Sequence, residues 1–205
     1  MPDSGLEKVL EEARALGFLG PGPVAGHVEH AAGFLRAVGE PPPTRVVDLG
    51  SGGGLPGLVL ARAWPDARVA LLDSNDRRTA FLARAVLALG LDGRVSVAHC
   101  RAEDAGRDPA WRGRADVVVA RSFGPPAVTA ECGAPLLAVG GRLVVSEPPD
   151  GGPERWPEGP LSRLGLRPVA RLEQAFSRFQ ILRQETGCPE PFPRRVGVPS
   201  KRPLF

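Results

Sequence analysis

The residues best suited to chemistry lie in one short run, Asp48-Leu49-Gly50-Ser51-Gly52-Gly53-Gly54-Leu55-Pro56-Gly57. The apolar Val46-Val47 leads into an acid, then glycines crowd together before a second apolar run, Leu58 to Ala63. That pattern predicts a strand, a tight turn and the start of a helix, with glycines admitting positive φ and letting a ligand approach main-chain N–H groups. A second acid, Asp73, closes the next apolar run 25 residues after Asp48. At a strand end facing a glycine loop, a carboxylate can accept hydrogen bonds from both hydroxyls of a ribose. A nicotinamide dinucleotide shares these features, but Pro56 removes an N–H that a pyrophosphate cradle would use. S-adenosylmethionine carries no phosphate, and its sulfonium and amino-acid end need close backbone approach and a nearby carboxylate. Asp48 and the amides and carbonyls around Gly50, Gly52 and Gly54 offer both.

The elements that must hold these residues can be read from periodicity. Leu6, Val9, Leu10, Ala13 and Leu16 recur at helical spacing, with Gly17 as a stop, and a second helix is predicted over 24–38. After the glycine loop, strands are expected at 68–73, 94–98, 116–120 and 142–145. They alternate with a helix from about 77 to 89, in which Ser74 is the expected cap and Gly90 the stop, and a helix over 126–139. Such alternation implies parallel pairing with both faces covered, and ligands beyond the strand C-termini. Residues 169–175 and 178–184 read as two strands joined by a turn near Phe176-Ser177. The expected fold class is therefore α/β, a Rossmann-like doubly wound sheet, mostly parallel with a C-terminal antiparallel hairpin, as in class I methyltransferases. One domain is expected, with a helical segment over 1–44, a core over 45–185 and a basic tail over 186–205.

Composition bounds the class of protein. A chain of 205 residues with 42% hydrophobic content supports one core, and three widely spaced cysteines, Cys100, Cys132 and Cys188, fit reduced thiols in a cytoplasm. Glu7, Glu11 and Glu12 interrupt the N-terminal apolar residues, so neither a signal peptide nor a membrane span is expected. The net charge is +3, and all 26 basic residues except Lys8 and Lys201 are arginine, a bias of GC-rich coding that is poor evidence for nucleic acid by itself. Location says more: the last dozen residues carry Arg194, Arg195, Lys201 and Arg202 without an acid, a tail able to meet phosphates. His27 and His30 have no third ligand nearby, which argues against a metal and favours ordinary surface residues.

Several motifs together resemble the RsmG (GidB) family. They are the Asp48 to Gly57 run, Leu71-Leu72-Asp73-Ser74 followed by Arg77-Arg78 and Phe81-Leu82, Arg101-Ala102-Glu103-Asp104, Ala120-Arg121-Ser122-Phe123, and Phe192-Pro193-Arg194-Arg195-x-Gly197-x-Pro199-x-Lys201-x-Pro203-Leu204. The resemblance implies S-adenosylmethionine as cofactor, ribosomal RNA of the small subunit as partner, and methylation of guanine N7. It places Gly50 and Leu55 along the cofactor path, with Asp73 and Ser74 at the ribose. It also sets Ala102 and Glu103 beside the adenine, with Arg121 reaching into the site as the catalytic candidate. Phe123, Glu147, Arg194, Arg195 and Lys201 are the candidates for contact with the substrate.

The absent motifs agree with that chemistry. No Asn/Asp-Pro-Pro-aromatic turn follows the fourth strand to accept from an exocyclic amine, and Cys100 is poorly placed as a pyrimidine nucleophile. Guanine N7 needs no base, only in-line placement. Where the family carries Leu-Lys-Gly, this chain reads Val145-Ser146-Glu147-Pro148. The inverted charge keeps two alternatives open, a small-molecule methyltransferase and a noncatalytic S-adenosylmethionine-binding module.

Overall fold

The computed structural model describes residues 4–174 and 177–205. Two helices, α1 (Ser4–Ala15) and α2 (Val24–Val38), precede an alternating core. The core runs β1 (Arg45–Leu49), α3 (Gly57–Ala63), β2 (Arg68–Asp73), α4 (Asp76–Ala88), β3 (Val95–His99), α5 (Ala102–Ala105), β4 (Ala115–Ala120), α6 (Pro126–Gly133) and β5 (Leu137–Glu147). After a short helix α7 (Glu158–Ser162), strands β6 (Leu166–Gln174) and β7 (Ser177–Gln184) form the hairpin, and α8 (Val198–Lys201) lies in the tail. Ala175 and Phe176, where the hairpin turn was expected, fall outside the described residues.

The seven strands lie in the order β3-β2-β1-β4-β5-β7-β6. The first five are parallel, and β7 inserts antiparallel to both β5 and β6. The chain winds outward from β1 to β3, then crosses back to β4 beside β1. That reversal opens a crevice beyond the C-terminal ends of β1 and β4, where this topology binds ligands.

Side-chain alternation along the strands divides the interior into two layers. On β4, Val117 and Val119 join the cluster containing Leu10, Phe34, Leu60 and Phe81, whereas Val118 and Ala120 join Leu136, Leu143, Leu161 and Leu182 on the other face. At about 25 cal/mol per Å² of apolar surface removed from water, these two layers supply the main drive for folding.

Two local expectations need correction. The helix cap before α4 is Asn75, whose side chain accepts from the Arg78 N–H at 3.1 Å, rather than Ser74. The helix expected to run to 139 ends at Gly133, and β5 begins at Leu137 rather than Arg142. Pro135 cannot donate to the helix ladder. Gly140, at φ +86°, then lets β5 shift register, so that Ala115 pairs with Leu137 but Val117 pairs with Arg142.

Candidate active site

The glycine loop leaves β1 at Gly50 and reaches α3 at Gly57, with Gly50, Gly52 and Gly54 at φ +74°, +54° and +94°. Those angles need glycine, because a Cβ clashes with the carbonyl in the left-handed region. Space demands it as well: a Cβ on Gly50 would come within 2.6 Å of the Phe123 ring, and one on Gly57 within 2.6 Å of the Asp48 carboxylate.

Two acids hold the loop from below. Asp73 Oδ2 accepts from the Gly52 N–H and Oδ1 from the Asn75 N–H, both at 2.9 Å. Asp48 is buried, and its Oδ2 accepts from the Gly57 N–H at 2.8 Å while Oδ1 has no partner. Burial pushes the Asp48 carboxyl up to about 7, against the pull of the Gly57 hydrogen bond. An unpaired, desolvated carboxylate oxygen under a glycine loop fits a cationic group of a ligand.

Two chambers flank the C-terminal end of β4. The first, about 290 Å³, is lined by Gly50, Asp73, Ser74, Ala102, Glu103 and Phe123 among others, with Ser200 at its rim. It brings an acceptor carboxylate, a hydroxyl and the small Ala102 side chain to one wall. That set suits a nucleoside. The second chamber, about 530 Å³, is lined by Gly26, His27, Glu29, His30, Arg36, Arg121, Gln174 and Ser177. A further cavity near Arg45, Arg68 and Trp111 lies at the opposite, N-terminal end of the strands, away from the loop.

Arg121 is the first residue beyond β4 and belongs to the second chamber. Its Nη2 donates to His27 Nδ1 at 2.7 Å, and His27 Nε2 lies 3.1 Å from the Gly20 carbonyl. This geometry assigns the ring proton to Nε2, since Nδ1 must accept from the guanidinium. Arg121 Nη1 is buried without a partner. His30 meets the Ser146 hydroxyl at 3.2 Å through Nε2, and its Nδ1 is also buried and unpaired. Burial, reinforced by Arg121 and His27, pushes the His30 imidazolium down to about 4, so the ring is neutral at pH 7. Both histidines thus face the crevice rather than the outer surface. The sequence signal was their i, i+3 spacing on the face of α2 that packs toward the sheet.

Several candidate residues stand elsewhere. Leu55 packs into the first core layer and does not line the cofactor chamber, as expected of a buried leucine between two loop glycines. Phe123 lies on the cofactor side, its ring against Gly50, and is not free on the acceptor side to stack a base. Glu147 is buried and ion-paired with Arg155, which the loop after β5 carries back over it, so its charge is neutralised away from both chambers. Arg194 is committed to the fully buried Glu131 through its backbone N–H, Nε and Nη2 at 2.9, 2.8 and 2.6 Å. Arg195 and Lys201 remain exposed. Glu103 does line the cofactor chamber, but its Oε1 accepts from the Gly197 N–H at 2.9 Å.

Comparison with known proteins places this architecture. The family model described as "GidB: rRNA small subunit methyltransferase G" matches residues 27–147. A protein of Rubrobacter xylanophilus named ribosomal RNA small subunit methyltransferase G is 42% identical over 182 residues, covering 83% of this chain and 67% of that protein. One of the same name from Prochlorococcus marinus is 41% identical over 177 residues, covering 79% and 68%. The crystal structure of a putative O-methyltransferase from Klebsiella pneumoniae superposes with a TM-score of 0.67 at 14% identity, covering 91% and 92%, a likeness of fold. The chain belongs to the rRNA small subunit methyltransferase G family, whose cofactor is S-adenosylmethionine.

Proposed function

We propose that this chain transfers the methyl group of S-adenosylmethionine to N7 of a guanine in small-subunit ribosomal RNA, in the cytoplasm. The observation that carries the reading is the pair of chambers on either side of the end of β4. One holds the ribose-accepting Asp73, and the other holds Arg121 with the neutral His30. The cofactor supplies an electrophilic methyl on a sulfonium. With the cofactor bound, N7 would take the methyl on its own lone pair as the carbon–sulfur bond broke, sulfur keeping that bonding pair and becoming neutral while the base took on the positive charge. No proton leaves, so the site needs position and donors rather than a general base. Arg121 Nη1 is a buried donor without an acceptor, suited to the O6 edge of the same guanine. The alternative of a small-molecule acceptor drew partly on the charge of Glu147, and the ion pair with Arg155 takes that part of its support away.

The test is transfer of labelled methyl to small subunits, and to their naked RNA, from cells lacking the modification. Labelled guanine that becomes cleavable by borohydride and aniline is expected, because N7 alkylation opens the imidazole ring to reduction. Label that resists this cleavage moves the site to another atom, and RNA without label ends the reading.

A further inference from the structure

The residues after β7 are strapped to the body at successive points. Arg112 donates to the carbonyls of Gly106 and Phe192 at 2.7 Å, and to those of Cys188 and Pro189 at 2.6 and 3.0 Å. Pro193 then rests on Gly106, where a Cβ would come within 2.9 Å of it. Arg194 closes a three-bond clamp on Glu131, and Gly197, at φ +79°, offers its N–H to Glu103. Three residues later Ser200 lines the cofactor chamber, together with Asp73, Ser74, Ala102 and Glu103.

Two buried carboxylates, Glu103 in the chamber wall and Glu131 on α6, therefore hold the tail, Glu103 through one oxygen while its Oε2 lies 3.7 Å from the Arg101 guanidinium. Arg112, and Leu204 and Phe205, which pack on the second core layer, hold the strap at other places as well. The Glu103 bond does something else: it starts from a residue in the chamber wall and fixes where Ser200 stands.

We propose that the C-terminal strap is a working wall of the cofactor chamber. Ser200 contacts the adenosine half of bound cofactor, and Glu103 and Glu131 are positioning residues that act through the strap. The inference rests on the cofactor reading above. Linkage makes it two-sided: if a docked strap tightens the cofactor, bound cofactor must hold the strap down by the same factor.

S-adenosylhomocysteine and the full-length chain provide the test. In hydrogen exchange on the wild type, the probe is expected to slow the amides of residues 194–201. By calorimetry, Ser200→Trp is expected to raise the probe's Kd by about tenfold or more while the melting temperature without ligand stays near that of the wild type. Glu131→Gln should raise Kd and abolish the ligand-dependent protection of 194–201. Unchanged exchange over 194–201 on saturation of the wild type overturns the proposal without recourse to any variant, as does wild-type affinity in folded Ser200→Trp. Failure of the wild type to bind the probe at all instead overturns the cofactor reading, and the strap's role with it.

Discussion

Burial holds the Asp48 carboxyl against its ordinary charged form. Its pKa in the folded chain, about 7, lies above the ordinary value of 3.8, so the fold favours the protonated form. Its contribution to stability is full below about pH 4 and is lost as pH rises through 7. Asp48→Asn should therefore gain in melting temperature relative to wild type between pH 4 and 7 and level off above, as thermal melts across pH will show. The same variant should bind S-adenosylhomocysteine more weakly if Oδ1 receives the cofactor's ammonium. Asp73→Ala should cost about 1–3 kcal/mol of cofactor affinity for lost ribose bonds, read by calorimetry. It should also loosen the loop, because the Gly52 N–H loses its acceptor. For His27→Ala, the expectation is a fall in kcat for methyl transfer with little change in cofactor affinity, since the Arg121 guanidinium loses the partner that orients it. Equal losses in both would assign His27 to the cofactor side. Asp48 and Asp73 were legible in the sequence because an acid at a strand end next to glycines has few other uses. The histidines were not, since an i, i+3 pair on a helix shows its face only once the helix is docked.

Among the elements, the tail shows how a polar anchor can replace an apolar one. Glu131 sits on α6 with no exposure, and Arg194 supplies all three of its donors from 63 residues away. Removing one partner of such a pair leaves the other charge buried, at a cost of about 3–5 kcal/mol. In urea melts Arg194→Ala should lower the unfolding free energy by that amount, and Glu131→Gln by less, because an amide still accepts one bond. The strand and helix alternation from β1 to β4 was legible because it repeats and each strand is built around β-branched and other apolar residues such as Val46-Val47, Val69 to Leu72 and Val117 to Val119. The α6 to β5 boundary was not, since Ala134, Leu136 and Leu137 suit either state and only Pro135 marks the break. The strap was missed for a related reason. Its arginines read as free charge in a linear chain, and the acids that neutralise them lie on other elements.

For the molecule as a whole, the strap divides the basic tail into two populations. Arg194 faces inward and is neutralised, whereas Arg195 and Lys201 stay in solvent. RNA affinity should therefore fall with Arg195→Ala plus Lys201→Ala. The slope of log affinity against log salt should become shallower by about 2, one counterion for each lost contact. An unchanged slope would show that these side chains meet no phosphate. The three cysteines are all free thiols, and no helix among the described residues is long and apolar enough to cross a membrane. The partition of the site into two chambers also bears on kinetics. The chambers share no lining residue, and Arg121 and Ser122, consecutive residues after β4, line one each, so RNA in one would leave the cofactor's route through the other open. Methyl transfer should accordingly follow a random-order sequential scheme. Its double-reciprocal plots should intersect, and RNA should be able to dock on enzyme that carries either the fresh or the spent cofactor.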